Sequence, residues 1–252
     1  MYNLYSILEG IELGNGETKR IDCPECGGYK TFTVTNNMGR MLWNCYKASC
    51  SISGSKPVHM SANDIRQAIE RKEKAQEHFV LPEYVVPYRG QPDLTRFMER
   101  FDLMGGLYHD VKDNRAVFPI MQDGVVVDAV GRSLRNSLPK WKKYGNSGLP
   151  FTSGCGKVAV VVEDCVSASV VGSLGNFVGV ALMGTSLLSA HQVFLAQFST
   201  AVIALDPDAL PKTLTMAKEL RGHVKDVRVL RLTDDIKYRN PRDIANLTNI
   251  GV

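Results

Sequence analysis

Apolar runs and amphipathic segments alternate along the C-terminal part of the chain. The apolar runs lie at 157–163, 176–182, 200–206 and 227–232, and helical patterns lie between them near 165–174, 187–198 and 211–222. Short apolar runs rich in β-branched residues predict strands that are buried on both faces of a parallel sheet. The alternation of strand and helix therefore predicts an α/β fold with a doubly wound parallel sheet.

Acidic residues directly follow two of these predicted strands. Glu163 and Asp164 end the first run, and Asp206 and Asp208 flank a proline at the end of the third. Ligands of parallel sheets bind beyond the carboxyl ends of the strands, so these acids are expected at a functional edge. Clustered carboxylates repel one another, and Mg²⁺ or Mn²⁺, which prefer oxygen ligands, would explain the cluster. The alternative is that they are ordinary exposed strand ends.

A basic and aromatic stretch lies upstream, after a predicted helix at 93–104 and predicted strands at 114–120 and 124–132. Lysines interleaved with Trp and Tyr suit contact with phosphates and stacking on bases. A solvated loop of the same composition is the alternative. The candidate contact residues of this stretch are Lys140, Lys142, Lys143, Tyr144 and Asn146.

Four of the six cysteines form two close pairs near the N-terminus. Cys23 and Cys26 form the first pair, Cys45 and Cys50 form the second, and two predicted strands within 30–44 separate them. Two such pairs on tight turns present four thiolates to a tetrahedral Zn²⁺, which predicts a zinc ribbon. A module of about 50 residues has a small core, and structural zinc can contribute about 10–16 kcal/mol to its folding.

The other possible zinc ligands are weaker candidates. His59 lies beyond a Gly, Ser and Pro-rich stretch, and Cys155 and Cys165 are expected to stay outside the site because isolated cysteines usually pack as small apolar residues. Disulfides are the alternative use of six cysteines. The bunching of four of them indicates a metal site in a reducing compartment instead.

These patterns divide the 252 residues into four regions. They are a zinc-binding ribbon at 1–56, a linker helix at 57–82, an N-terminal core subdomain at 83–156 and the parallel-sheet subdomain at 157–252. The small and polar residues 51–57 predict a linker, and the charged helical pattern at 61–78 mixes both signs, as solvated connectors do. The ribbon is therefore expected to be tethered to the rest of the chain.

Composition narrows the function classes only slightly. Hydrophobic residues make up 44% and charged residues 22%, which is ordinary for a globular protein, and the net charge of +4 does not establish a nucleic-acid partner. The chain lacks an apolar run long enough to cross a membrane, a secretory signal and a phosphate-binding Walker A motif. We therefore expect a cytoplasmic protein without membrane contact or ATP-driven helicase activity.

In their order along the chain, these motifs resemble those of the primases of bacteria and their phages, which join a zinc-binding domain to a Toprim-containing RNA polymerase domain. The resemblance covers nearly the whole chain. Besides the four paired cysteines, it rests on Arg115-Ala-Val-Phe-Pro-Ile120, Val130-Gly131-Arg132, Lys143-Tyr144-Gly145-Asn146-Ser147, Val162-Glu163, Gly184-Thr185 and Asp206-Pro207-Asp208.

The resemblance implies synthesis of short RNA primers from ribonucleoside triphosphates on a single-stranded DNA template. It implies that Glu163, Asp206 and Asp208 hold catalytic Mg²⁺ or Mn²⁺, which usually act as a pair in such displacements. The zinc module would help to select the start site. The lack of a fused helicase suggests a phage-type primase that works with a separate replicative helicase, in the host cytoplasm if phage-encoded. Positions that contact nucleotide or template in the family match Arg115, Arg132 and Lys143.

Two positions depart from the family pattern. The family's Glu is usually followed by Gly and, four residues after the Glu, by Asp, whereas Asp164 and Ser167 stand there in this chain. Asp164 would need a bend to replace the missing acid, since adjacent strand residues point to opposite faces. The family also has a later acidic position, which could match Asp234, Asp235 or Asp243. Asp235 is preferred as a further Mg²⁺ ligand. Substitution of Ser167 by Asp is expected to be tolerated.

Two other functions stay open at this point. A catalytically degenerate zinc-ribbon and Toprim protein that only binds DNA is favoured by Ser167. A Toprim nuclease or recombination mediator is the other alternative. The Arg-x-x-Phe-Pro-Ile and Lys-Tyr-x-Asn-Ser segments argue against that second alternative.

Overall fold

The computed structural model describes residues 4–14, 17–37, 40–47, 49–58, 79–135, 137–184 and 186–250. Its contacts divide the chain into two compact units, 1–74 and 75–252. The predicted connector helix at 61–78 and His59 lie outside the described residues.

The first unit is built on an antiparallel sheet of four strands in the order β1-β2-β3-β4. Its elements are helix α1 (Leu4–Glu9) and strands β1 (Thr18–Ile21), β2 (Phe32–Asn37), β3 (Arg40–Cys45) and β4 (Ser53–Pro57). Inward side chains alternate along β2, so that Phe32 and Val34 are fully buried against Leu8 and Trp43. This small core matches the expectation of a module that needs a further source of stability.

Strand β4 corrects the prediction of a linker at 51–57. Residues 53–57 pair with β3, and Trp43 lies opposite Gly54. A Cβ atom on Gly54 would lie 2.6 Å from the Trp43 ring, so glycine lets the indole pack across the strand. The small, polar composition that suggested a linker belongs to a largely exposed edge strand.

The second unit begins with an antiparallel sheet in the order β5-β6-β7-β8-β9. Its elements are β5 (Val85–Pro87), helix α2 (Pro92–Phe101), β6 (Tyr108–Asp110), β7 (Arg115–Gln122), β8 (Val125–Ser133) and β9 (Trp141–Lys143). Alternate residues of the pleat enter different clusters. Phe118 and Val130 join the main core with α2, and Val117 and Ala129 pack on the opposite face.

A second sheet follows in the order β10-β12-β11-β13-β14. Strands β11 to β14 are parallel, and β10 pairs antiparallel with β12 at the edge. The elements are β10 (Phe151–Ser153), β11 (Val158–Val162), α3 (Cys165–Gly172), β12 (Phe177–Ala181), α4 (Ser189–Leu195), β13 (Thr200–Ile203), α5 (Leu210–Leu220), β14 (Asp226–Val229) and α6 (Pro241–Ile250), with short 3₁₀ helices at Pro207–Ala209 and Ile236–Tyr238.

Helices cover both faces of this parallel sheet. Val160 and Val162 of β11 pack in one cluster with α3 and α6, while Val161 packs in another with α4 and α5. The prediction of a doubly wound parallel sheet is therefore confirmed. None of the helices in the described ranges is both long and apolar enough to span a membrane.

Helix α3 lies very close to strand β12. A Cβ atom on Gly179 would lie 2.0 Å from the backbone oxygen of Ala168. Glycine is therefore required at this strand position for the helix to reach its observed distance from the sheet. The contact fixes the helix that begins at the end of β11, where the acidic residues stand.

Candidate functional site

The four paired cysteines come together in the first unit, and their ligand atoms lie within 4.8 Å of one another. The Sγ atoms of Cys23 and Cys50 are 3.9 Å apart, and those of Cys26 and Cys45 are 3.8 Å apart. Zinc–sulfur bonds of about 2.3 Å in a tetrahedron place sulfurs about 3.8 Å from one another. The thiol spacing therefore fits one structural Zn²⁺, as the sequence predicts.

The carboxyl edge of the parallel sheet carries the predicted acids. Glu163 follows β11, Asp206 lies beyond β13, and Asp208 is exposed on the 3₁₀ helix behind it. Asp164 does not continue the strand. It is the N-cap of α3, where its Oδ1 accepts a hydrogen bond from the Ser167 N–H at 2.9 Å.

Glu163 is the most perturbed acid of this edge. Burial, followed by the charges of Asp206 and Asp208, raises its pKa to about 7, and its Oε1 is buried without a hydrogen-bond partner in the described structure. Burial also raises the pKa of Asp206, with Asp164 and Asp208 adding to the effect and Lys237 opposing it. Repulsion among these carboxylates is what a bound cation would relieve.

These acids are electrostatic neighbours without forming a tight ligand cage. Within the described residues, only the four thiols bring three or more Cys, His, Asp or Glu ligand atoms within 4.8 Å of one another. Carboxylate donors with one unpaired buried oxygen nevertheless fit a hard cation such as Mg²⁺, which keeps several waters and needs few protein ligands.

The three candidates for the later acid have different surroundings. Asp243 is fully buried and accepts hydrogen bonds from the N–H groups of Thr233 and Asp234, so it holds the loop before α6. Asp234 is exposed and accepts from the N–H of Asp235. Asp235 faces α3, where it accepts a hydrogen bond from the Ser167 hydroxyl at 3.0 Å.

Lys237 is a site residue that the sequence analysis missed. Its ammonium contacts the carboxylates of both Asp164, at 3.2 Å, and Asp235. Its side chain is 6% exposed. Tertiary packing determines the burial of this lysine. Its local sequence does not predict it, because that sequence resembles the sequence of any charged loop.

The candidate phosphate-binding residues divide between the two faces of the antiparallel sheet. Arg132 lies on the face of Val130, with its guanidinium 3.9 Å from Asp164. Lys143 pairs with Val130 in the β8–β9 ladder, and its charge reaches His191 of α4. Lys140 is exposed, and its charge opposes the raised pKa of Asp206. Arg132 and Lys140 thus act on the edge that carries the acids, and Lys143 lies on the same sheet face as Arg132.

The other candidates lie on the opposite face or at the surface. Arg115 donates a hydrogen bond to the Pro139 oxygen at 2.9 Å and is 4% exposed. Lys142 pairs with Asp113 at 2.5 Å, and the Tyr144 hydroxyl donates to Asp110. Burial, aided by that carboxylate, raises the pKa of Tyr144. These partners give the three residues structural roles in the sheet, while Asn146 is exposed.

Buried His191 was also missed, and it has a structural explanation. Its Nδ1 accepts the N–H of Leu188 at 3.2 Å at the start of α4. Burial, followed by the charge of Lys143, lowers its pKa to about 4. The imidazole is therefore neutral near pH 7 and holds the first turn of the helix.

No family model matches the sequence, and no curated protein matches it. Several solved structures of primases are similar to the chain. The zinc-binding and RNA polymerase domains of the Aquifex aeolicus primase are 17% identical, with a TM-score of 0.45 over 98% of this chain and 82% of that chain. The primase fragment of the bacteriophage T7 primase-helicase protein is 14% identical, with a TM-score of 0.46 over 91% and 98%.

A DNA primase domain from Pseudomonas aeruginosa is 20% identical, with a TM-score of 0.45 over 66% of this chain and 64% of that chain. The chain is thus similar to bacterial and phage primase domains at low sequence identity.

Proposed function

We propose that the chain is a DNA primase, which synthesises short RNA primers from ribonucleoside triphosphates on single-stranded DNA. The observation that carries the proposal is that acidic and basic side chains lie together at one edge of the parallel sheet. Arg132 lies 3.9 Å from Asp164, and Lys140 acts on Asp206. Such an edge suits a substrate that brings phosphates and a divalent ion together.

In this proposal Glu163, Asp206 and Asp208 hold catalytic Mg²⁺ or Mn²⁺. When bound, divalent ions promote attack by the primer 3′-hydroxyl and neutralise the triphosphate. Glu163, with a pKa of about 7, can also accept a proton near neutral pH. Its unpaired buried Oε1 supports either role, as ligand or as base.

The cationic side chains hold the phosphates of the substrates. Arg132 stacks on Trp141, with its Cζ 5.1 Å from the ring centroid, so its planar group is held ready to bind an anion. Lys140 and Lys143 are exposed and add positive charge beside it. Phosphate contacts of this kind position nucleic acid independently of its sequence.

The zinc unit contributes template contacts in this proposal. Tyr29 and Tyr46 are 76% and 63% exposed, and each ring carries a cation, Lys30 or Arg20, within 5.6 Å of its centroid. Exposed aromatic rings beside cations suit stacking on the bases of a single strand. These pairs support a role of the zinc unit in selecting the start site.

The proposal includes modules at 1–56, 83–156 and 157–252, with 57–82 as the linker. It further includes a separate replicative helicase as partner and action in the cytoplasm, that of the host if a phage encodes the protein. A second candidate is a non-catalytic DNA-binding protein. Ser167, which stands where the family has an acid, favours it.

One assay tests these functions together. Zinc-loaded protein is incubated with single-stranded DNA, labelled ribonucleoside triphosphates and Mg²⁺, with Asp206→Asn as the matched control. Short RNA from the wild type alone supports the primase. Template binding without RNA on varied templates, with Mg²⁺ or Mn²⁺, would identify the binding protein. Cleavage of the DNA would identify a nuclease.

A further inference from the structure

The acids at the carboxyl ends of the parallel strands form an acidic edge with two halves. Glu163, Asp206 and Asp208 make up the first half, and Asp164 and Asp235 make up the second. The halves differ in whether their carboxylate oxygens have hydrogen-bond donors. In the first half, the Glu163 Oε1 is buried without a partner in the described structure. In the second half, Asp164 and Asp235 have a protein donor at every carboxylate oxygen. These donors are the N–H and hydroxyl of Ser167 and the N–H and ammonium of Lys237.

The second half is also balanced in charge. Lys237 contacts both carboxylates, and Arg132 lies 3.9 Å from Asp164, so two cations face two anions. The half is tightly enclosed, since Ser167 is 1% exposed and the Lys237 side chain 6%. Displacing one member of a fully hydrogen-bonded buried ion pair is costly, because it leaves the charge of the other member buried and unpaired.

We infer that Lys237 is a built-in cation that excludes divalent metal from the Asp164–Asp235 half of the edge. If the proposed function holds, the chain itself then binds a single divalent ion, at Glu163, Asp206 and Asp208. An ion between Asp164 and Asp235 would have to displace an ammonium that already contacts both. Any second ion has to arrive with the triphosphate, whose oxygens bind Mg²⁺ without a protein cage.

Counting bound Mn²⁺ tests this inference without measuring activity. The probe is Mn²⁺ alone, added to the zinc-loaded full chain without nucleotide, and the loss of the free-ion spin-resonance signal gives the number bound. Wild type should bind one ion. Lys237→Met, which keeps the length and removes the charge, should bind two, and Lys237→Arg should bind one. Two ions on the wild type, or no gain in Lys237→Met, would overturn the inference.

Further variants separate this inference from the proposed metal site. Glu163→Gln should remove the wild-type ion and leave the ion gained by Lys237→Met. If the wild type binds none, the proposed site fails, and a gain in Lys237→Met still supports the role of the lysine. If Lys237→Met does not fold, as judged by circular dichroism, Asp164→Asn decides. An unchanged Mn²⁺ count supports the inference, and loss of the ion overturns it.

Discussion

Arg132 holds its guanidinium 5.1 Å from the centroid of the Trp141 ring. The pairing arises because the two residues stand opposite each other in the β8–β9 ladder. The ring fixes a long cationic side chain beside the acidic edge at a small cost in conformational entropy. Substitution of Arg132 is therefore the most direct test of the proposed phosphate-binding surface, which Arg132, Lys140 and Lys143 form.

Removal of this cation should weaken nucleic-acid binding. We expect Arg132→Ala to raise the Kd for single-stranded DNA about tenfold and to reduce the salt slope by about 0.7 for a lost phosphate contact. Fluorescence anisotropy over a range of salt concentrations measures both. Lys225→Ala removes the same charge from an exposed position just before β14, at the amino ends of the parallel strands. It should change neither the Kd nor the salt slope. Equal effects of the two variants would refute the assignment.

Zinc content should depend on the four clustered thiols. Cys45→Ser removes one ligand of a spacing that fits zinc, so the variant should lose most of its zinc and melt at a lower temperature. Cys155→Ser is the matched control, since Cys155 is exposed in the other unit. Metal analysis by mass spectrometry checks both. Full retention of zinc by Cys45→Ser would contradict the site.

The raised pKa of Glu163 predicts a pH-dependent stability. A carboxyl whose pKa is higher in the folded than in the unfolded chain stabilises the fold only while protonated, so stability falls as the pH rises from about 4.3. The fall ends near the folded pKa of about 7. Without added divalent metal, the melting temperature of the wild type should decrease across this window. Glu163→Gln should flatten the decrease.

Added Mg²⁺ should restore the wild-type melting temperature above pH 7 and leave that of Glu163→Gln unchanged. Glu99→Gln, at an exposed position of α2, should behave as the wild type. A Glu163→Gln variant with the wild-type slope would show that another group causes the dependence.

The structure reverses the expectation that Ser167→Asp is tolerated. Ser167 is 1% exposed and already lies between Asp164 and Asp235, so a third carboxylate would be buried with no additional cation. We expect the variant to lose about 3 kcal/mol or more of unfolding free energy, and Ser167→Ala to lose about 1 kcal/mol. Denaturant titration measures both. Equal stability of the two variants would argue that the cluster opens to water.

The close approach of α3 to β12 should make substitution of Gly179 destabilising. The Cβ of Gly179→Ala would meet the backbone oxygen of Ala168 at 2.0 Å, so the helix would have to move. We expect a loss of about 1–3 kcal/mol or more. Gly222→Ala is the control, because its Cβ would meet no atom closer than 3.5 Å. A thermal melt of both variants is sufficient, and a tolerated Gly179→Ala would contradict the packing.

Much of the fold follows from the sequence because its signals are local. The run Val158–Val162 is short, rich in valine and apolar at every position, which predicts a strand that is covered on both faces. The spacing of the four cysteines in the sequence likewise predicts their zinc site. The edge strand β4 shows the limit, because exposed strands carry the same small polar residues as linkers.

The site is less predictable because it depends on relations between elements. Neighbours in sequence such as Lys142 and Lys143 enter different surroundings once β9 pairs with β8. Lys237 follows no pattern, and its role appears only when its loop packs on α3. Asp164 is recognisable as a helix cap only once the strand is known to end at Val162.

The division of the basic residues between two sheet faces has a consequence for how this surface can vary. Lys142 and Lys143 exchange faces if the loop between β8 and β9 gains or loses one residue and the ladder shifts by one position. Such a shift would turn Trp141 away from Arg132 and bring Lys142 to the acidic edge. The charge pattern at that edge is therefore encoded in the length of a loop as much as in the identity of its lysines.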